Sequence, residues 1–159
     1  MVSTTKTNKQ KTTNFEPFIF CLGCEDGWKE YESSCYKYFD LHYRWSFAKD
    51  KCNSLGADLA KITGRELHDF VYSLRIHQSS SVWIGLRGQW TESSNFVWTD
   101  GSHVGNFAFW NTGEPLVSTQ PLCVLMSSAA TNGQWKAVDC ADKHSTYVCE
   151  KGLFCSKIY

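Results

Sequence analysis

Apolar positions along this chain change period part-way, and the change predicts its elements. Over 45–55, Ala48, Cys52 and Leu55 recur at spacings of three and four, which is the period of an amphipathic helix, and Gly56 is placed to end it. A second helical stripe is formed by Leu67, Phe70, Val71 and Leu74. It follows Thr63-Gly64-Arg65-Glu66, where Thr63 and Glu66 stand at capping-box spacing. Ahead of both, Cys35-Tyr36-Lys37-Tyr38-Phe39 alternates and is aromatic, which predicts a strand. After the second helix the apolar runs shorten to strand length, at 82–86, 96–98, 123–126, 134–138 and 147–150. Trp83-Ile84-Gly85-Leu86 is a poor helix and a good buried strand. Between 99 and 122 a stretch rich in Gly, Asn, Ser and Pro has no period. An irregular loop of that length in a compact domain is usually functional or disordered. Two helices followed by several strands, with no internal repeat, predict an α+β fold.

Composition sharpens this picture. The chain has 159 residues, which fits one domain with tails. Seven Trp, ten Phe and seven Tyr supply a large aromatic core. Lys+Arg and Asp+Glu are both 16. That balance argues against nucleic acid, which calls for a basic footprint, and gives no support for a polybasic membrane contact. No apolar run approaches the ~18 residues of a bilayer span, so no membrane insertion is expected. Residues 1–14 are polar and expected to be disordered, with Lys6, Lys9 and Lys11 a solvated cluster. No apolar segment of a signal peptide follows Met1, and no Asn-x-Ser/Thr sequon occurs. An oxidised chain is therefore expected to have lost a leader or to be a segment of a longer one.

Eight cysteines decide the compartment. They are a hazard in a reducing cell and make sense as staples in an oxidising one, so the domain is expected to be extracellular, secreted or part of a surface receptor. Eight thiols allow 105 pairings, and spacing alone does not choose among them. A zinc reading of Cys21-Leu22-Gly23-Cys24 lacks a second ligand pair at usable spacing.

The residues around the cysteines carry a resemblance. In order they are Cys24 with Gly27-Trp28, Cys35-Tyr36, Trp45 and Ala48 before Cys52, then Gly56-Ala57-Asp58-Leu59 and Trp83-Ile84-Gly85-Leu86. Val97-Trp98-Thr99-Asp100-Gly101, Gly113-Glu114-Pro115, Cys123-Val124, Gly133 and Trp135 before Cys140, and Tyr147-Val148-Cys149-Glu150 complete the series. Together they resemble the C-type lectin-like domain, in its long form with an extra cysteine pair. The resemblance implies two helices packed on small antiparallel sheets with a long irregular loop. It sets the boundaries at 24–151, between a disordered tail at 1–23 and a C-terminal tail at 152–159. It also implies the pairs Cys24–Cys35, Cys52–Cys149 and Cys123–Cys140. The second closes a loop of roughly 100 residues, a contribution of about 4.7 kcal/mol in the chain-entropy model. Cys21 and Cys155 are left over, either to pair within the chain or to link two chains.

In sugar-binding members of this family a calcium ion sits on the long loop. It is held by Glu-Pro-Asn or Gln-Pro-Asp, by an acidic residue downstream, and by an Asn-Asp pair after the strand Trp. Calcium takes about six to eight oxygens. In this chain Glu114 and Pro115 match, but the third position is Leu116. The downstream segment Ser118-Thr119-Gln120-Pro121 has no carboxylate, and Lys136-Ala137 stands where Asn-Asp is expected. One side-chain ligand of five remains. Lys136 also brings an ammonium near the ion's place, a repulsion on the order of several kcal/mol in a partly buried loop. No metal is expected there, and Lys136 is expected to pair with Glu114 as the loop's internal tie. Pro115 has a second reading, since in the family it is often cis and shapes a turn without any metal.

Phe107, Phe109 and Trp110 are the loop's other candidates, to stack on a sugar face or fill a protein partner's pocket, with Trp110 expected to pack the loop onto the core. Trp90 is a weaker candidate of the same kind. Histidines 42, 68, 77, 103 and 144 are scattered, with His68 expected at the surface, and Asp139 and Asp142 are expected to be solvated. No nucleophile elbow, phosphate loop or His-Glu-x-x-His occurs, so neither an enzyme nor a cofactor is expected. The expected function is calcium-independent recognition of an extracellular protein or glycan ligand. The alternatives are a lectin using aromatic and neutral polar contacts, and an assembly subunit in which Cys21 or Cys155 links a homodimer.

Overall fold

The computed structural model describes residues 18–88, 95–116, 118–128, 131–141 and 143–158. Its elements run β1 (Phe18–Cys21), β2 (Lys29–Tyr31), β3 (Ser34–Tyr43), α1 (Trp45–Asn53), β4 (Asp58–Leu59), α2 (Arg65–Ser73), β5 (Val82–Gly88), β6 (Phe96–Trp98), β7 (Leu122–Met126), β8 (Trp135–Asp139), β9 (Ser145–Gly152) and β10 (Cys155–Ile158). The main sheet has the order β2-β3-β9-β5-β7-β8, with β4 added on β9 and β6 on β5. All its pairings are antiparallel except β5 with β9, which is parallel.

The central strands β5, β7 and β9 are buried on both faces, and strand alternation sorts their side chains between two cores. Val82, Ile84 and Leu86 of β5, Val124 and Met126 of β7 and Val148 of β9 join Leu67 and Val71 of α2. Their neighbours Trp83, Cys123, Leu125, Tyr147 and Cys149 join Trp45, Ala48 and Cys52 of α1. The central strands therefore read as unbroken apolar runs, as Val82 to Leu86 does. Gly85 has a further reason to lack a side chain, because a Cβ there would lie 2.7 Å from the carbonyl oxygen of Leu59. Two indoles pin the layers, Trp45 Nε1 donating to the Ile84 carbonyl and Trp83 Nε1 to that of Tyr43, both at 2.8 Å.

Four disulfides join Cys21 to Cys155, Cys24 to Cys35, Cys52 to Cys149 and Cys123 to Cys140. Cys52–Cys149 ties α1 to β9 inside the α1-side core. All eight sulfurs bond within the chain, which leaves none for the interchain link considered for Cys21 and Cys155.

Several local expectations are corrected. The folded unit extends past 24 and 151, since β1 and β10 pair in register where tails were expected, from Phe18 against Ile158 to Cys21 against Cys155. The run Phe18-Ile19-Phe20 has the β-branched and aromatic character of a strand, and the disulfide holds its partner opposite. Helix α1 stops at Asn53, so Leu55 leaves the stripe and is 43% exposed. Gly64, not Thr63, is the N-cap of α2, and no side chain caps it. Residues 1–17, Trp90 and Asp142 lie outside the described residues.

Candidate functional site

The strand β8 ends the main sheet, so Trp135 and Ala137 direct backbone groups away from β7. An unpaired edge of this kind is a liability unless something covers it. The long loop covers it. Trp135 N–H donates to the Phe109 carbonyl at 2.6 Å, and Asn111 N–H donates to the Trp135 carbonyl at 2.9 Å. One pairing further along, Ala137 N–H donates to Glu114 Oε2 at 3.2 Å. The Glu114 carboxylate thus stands where the carbonyl of another strand would be. The same oxygen accepts from Leu116 N–H, also at 3.2 Å, and closes the turn after Pro115. The Glu114–Pro115 peptide bond is cis, and Glu114 N–H donates to the Asn111 carbonyl at 2.9 Å.

The expected Lys136–Glu114 pair is therefore corrected. Among the described residues no ion pair joins them, and Lys136 is exposed between the buried Trp135 and Ala137. The period of two along β8 explains this, because turning Trp135 and Ala137 inward turns Lys136 outward. Leu116 is 58% exposed. Since Leu116 and Ala137 share one carboxylate oxygen, Leu116 and Lys136 sit on neighbouring stretches of backbone.

Aromatic rings fix the loop above the edge. Trp110 meets Trp135 edge-on at 5.7 Å and Phe96 at 5.0 Å, so it packs the loop onto the core. Phe107 meets Trp135 at 5.7 Å, and Phe109 lies 6.4 Å from Phe107. Both phenylalanines are half-buried against the α2-side core, with the Arg65 guanidinium 4.6 Å above Phe109. Beside the loop, Lys61 and Asp100 form an ion pair at 2.8 Å. Hydrogen bonds from Lys61 and from Ser102 hold the Asp100 carboxyl down to about 2.

The family model described as Lectin C-type domain matches residues 41–151. This chain belongs to the C-type lectin family. A C-type lectin relative, the secretory phospholipase A2 receptor of Oryctolagus cuniculus, is 32% identical over 133 residues, covering 83% of this chain and 9% of that protein. The low affinity immunoglobulin epsilon Fc receptor of Homo sapiens is 31% identical over 137 residues, covering 86% of this chain and 40% of that protein. The chain therefore spans less than half the length of either relative. Among solved structures, the C-type lectin domain of murine dendritic cell inhibitory receptor 2, in complex with N-glycan, superposes with a TM-score of 0.72 at 27% identity, covering 81% of this chain and 98% of that one. C-type lectin domains are recognition modules and not enzymes, and this one has their α+β fold.

Within this C-type lectin, residues 107–116 and 135–137 come together at one edge of the sheet. The scattered histidines do not. His42, His103 and His144 are exposed, and His77 lies 3.3 Å from Asp40. Asp139 accepts from Ala141 N–H at 2.7 Å. Among the described residues no three His, Cys, Asp or Glu side chains cluster, and no helix is long and apolar enough to cross a membrane. His68 corrects its expectation, since it is 0% exposed beneath Phe107 and Phe109. The signal was its spacing, because a residue three before Val71 lies on the same helical face.

Proposed function

We propose that this domain is an extracellular recognition module that binds its ligand at the long loop without calcium at the usual family position, and that the ligand is a protein surface. The observation that carries the reading is the state of Glu114. It is the one carboxylate left of the expected donor set, and its Oε2 already accepts two backbone N–H groups. Leu116 and Ala137 offer the ion no side-chain oxygen, and Lys136 offers an ammonium. The residues present do not fit a calcium ion, which needs about six to eight oxygens. What the loop offers instead is an exposed leucine beside an exposed lysine, which suits an apolar spot flanked by an acidic group on a protein partner. Two relatives are named for protein ligands, a secretory phospholipase A2 and an immunoglobulin epsilon Fc, which supports a protein partner here. The four disulfides suit the oxidising compartment outside the cell.

The second reading is a lectin that holds sugar through aromatic and neutral polar side chains. Half-buried Phe107 and Phe109 and the N-glycan complex of a related domain favour it. A glycan array run with calcium and with chelator separates the two. Weak or absent signals in both conditions support the protein reading, strong chelator-resistant signals support the second, and strong signals abolished by chelator contradict both.

A further inference from the structure

His68 is held between three elements and completes its hydrogen bonding with none of them. Its Nε2 lies 3.5 Å from the Asn132 carbonyl, and its Nδ1 is buried with no partner. On its own helix the ring stacks on Tyr72 at 5.9 Å and 12°. On the loop side it meets Phe109 edge-on at 4.7 Å, with Phe107 at 6.3 Å. On the third side Gly133 leaves it room, since a Cβ there would come within 3.1 Å of Nε2 and 2.5 Å of the Tyr72 ring. We propose that His68 is a proton-sensitive latch under the long loop: neutral, it seats Phe107 and Phe109 against α2; protonated, it releases them and loosens the loop's pairing with β8.

The neutral ring suits this cage. With its proton on Nε2 facing the Asn132 carbonyl, Nδ1 is a bare lone pair among apolar atoms, at modest cost. A second proton turns Nδ1 into a cationic donor with no acceptor, and an unpaired buried charge is far more costly than an unpaired lone pair. The charged groups around it do not rescue the cation. Arg65 and Arg75 oppose it, Asp69 favours it but is already bound to Arg65 at 3.0 Å, and Tyr72 presents a ring face. The turn supplies only the Asn132 carbonyl, and the loop supplies aromatic rings, its histidine His103 being exposed.

Burial accordingly holds His68 below its ordinary 6.5. Because the folded value is the lower one, the neutral ring's stabilisation is fully present above about 6.5 and is lost as pH falls through the folded value. The cheapest way for the protein to hydrate the cation is to lift the two phenylalanines, because they sit on a loop and not on the sheet. Phe109 also accepts the hydrogen bond from Trp135, so its release opens the edge on which Glu114 rests.

Any effect of the latch on ligand binding rests on the proposed reading of the long loop as the binding surface, but the latch itself is measured without ligand, so the two fail separately. Amide exchange of residues 104–111, corrected for the chemical rate, is compared at neutral pH and near pH 5 in the wild type and in His68→Phe, with β9 as internal control. Loop protection is expected to fall by about threefold or more in the wild type. His68→Phe is expected to hold its protection, and β9 is expected to be unchanged in both. No fall in the wild type, or an equal fall in His68→Phe, overturns the proposal. If that variant does not fold, proton titration of the wild-type His68 ring by NMR decides: loop amide shifts sharing its midpoint support the latch, and loop amides indifferent to it overturn it.

Discussion

The sheet layer and the long loop of this C-type lectin are held together by different means. Around the sheet, β5, β7 and β9 are buried on both faces and a disulfide runs from α1 into β9. The loop buries less. It is fastened by two backbone pairings with Trp135, by one carboxylate shared between two N–H groups, and by three aromatic rings resting on Trp135 or α2. Stability therefore rests mainly on the sheet layer, and equal insults to the two regions should have unequal reach. Damage to the sheet should unfold the domain. Damage to the loop should stay in the loop.

The largest effect tests the first half of that contrast. Replacing Cys52 and Cys149 together by alanine removes a fully buried bond across 97 residues of sequence. A loss of about 2–5 kcal/mol is expected from the urea midpoint, with every region losing exchange protection together. A loss confined to one segment would break the contrast. Next comes Glu114→Ala. It strips the acceptor from Leu116 and Ala137 N–H and should cost about 1–2 kcal/mol locally. Exchange at the Ala137 amide should rise about tenfold while the global midpoint barely moves. Glu114→Gln, which keeps a carbonyl oxygen, should recover most of the protection.

The smallest effect belongs to the Lys61–Asp100 pair at the loop's flank. Asp100 is 53% exposed, so Asp100→Asn should cost less than about 1 kcal/mol. Its direction with pH is nonetheless fixed. The carboxyl is held below its ordinary 3.8, so its contribution is present above that value and lost as pH falls towards about 2. The stability difference between wild type and Asp100→Asn, followed by denaturation from pH 5 downward, should shrink accordingly.

The same two regions differ in how far they can be read from residues alone. Strands such as Val82–Gly88 announce themselves, because being buried on both faces demands an unbroken apolar run. The loop is legible in its chemistry but not in its contacts. Leu116 and Ala137 reveal missing oxygen donors, yet nothing in Glu114 says that its carboxylate will stand in for a strand carbonyl. That role depends on β8 being the edge of the sheet, which is a property of topology. The direction of Lys136 is hidden for the same reason, since it follows from the alternation along β8 and not from nearness to Glu114 in the family's loop. His68 is a partial case, because a histidine suggests water while its spacing from Val71 places it on the apolar face. The pairing of β1 with β10 is hidden because no period links residues as distant as Phe18 and Ile158, or Cys21 and Cys155, which stand 134 positions apart.

On the proposed reading Glu114 serves the sheet edge and not a metal. Thermal unfolding in millimolar calcium against chelator tests it most directly. A ligand present at about a thousandfold excess over its dissociation constant stabilises the folded state by about 4 kcal/mol. Superimposable unfolding curves are expected, with no change in Ala137 amide exchange between the two buffers. A midpoint raised by calcium, with the rise abolished in Glu114→Ala, would contradict that reading.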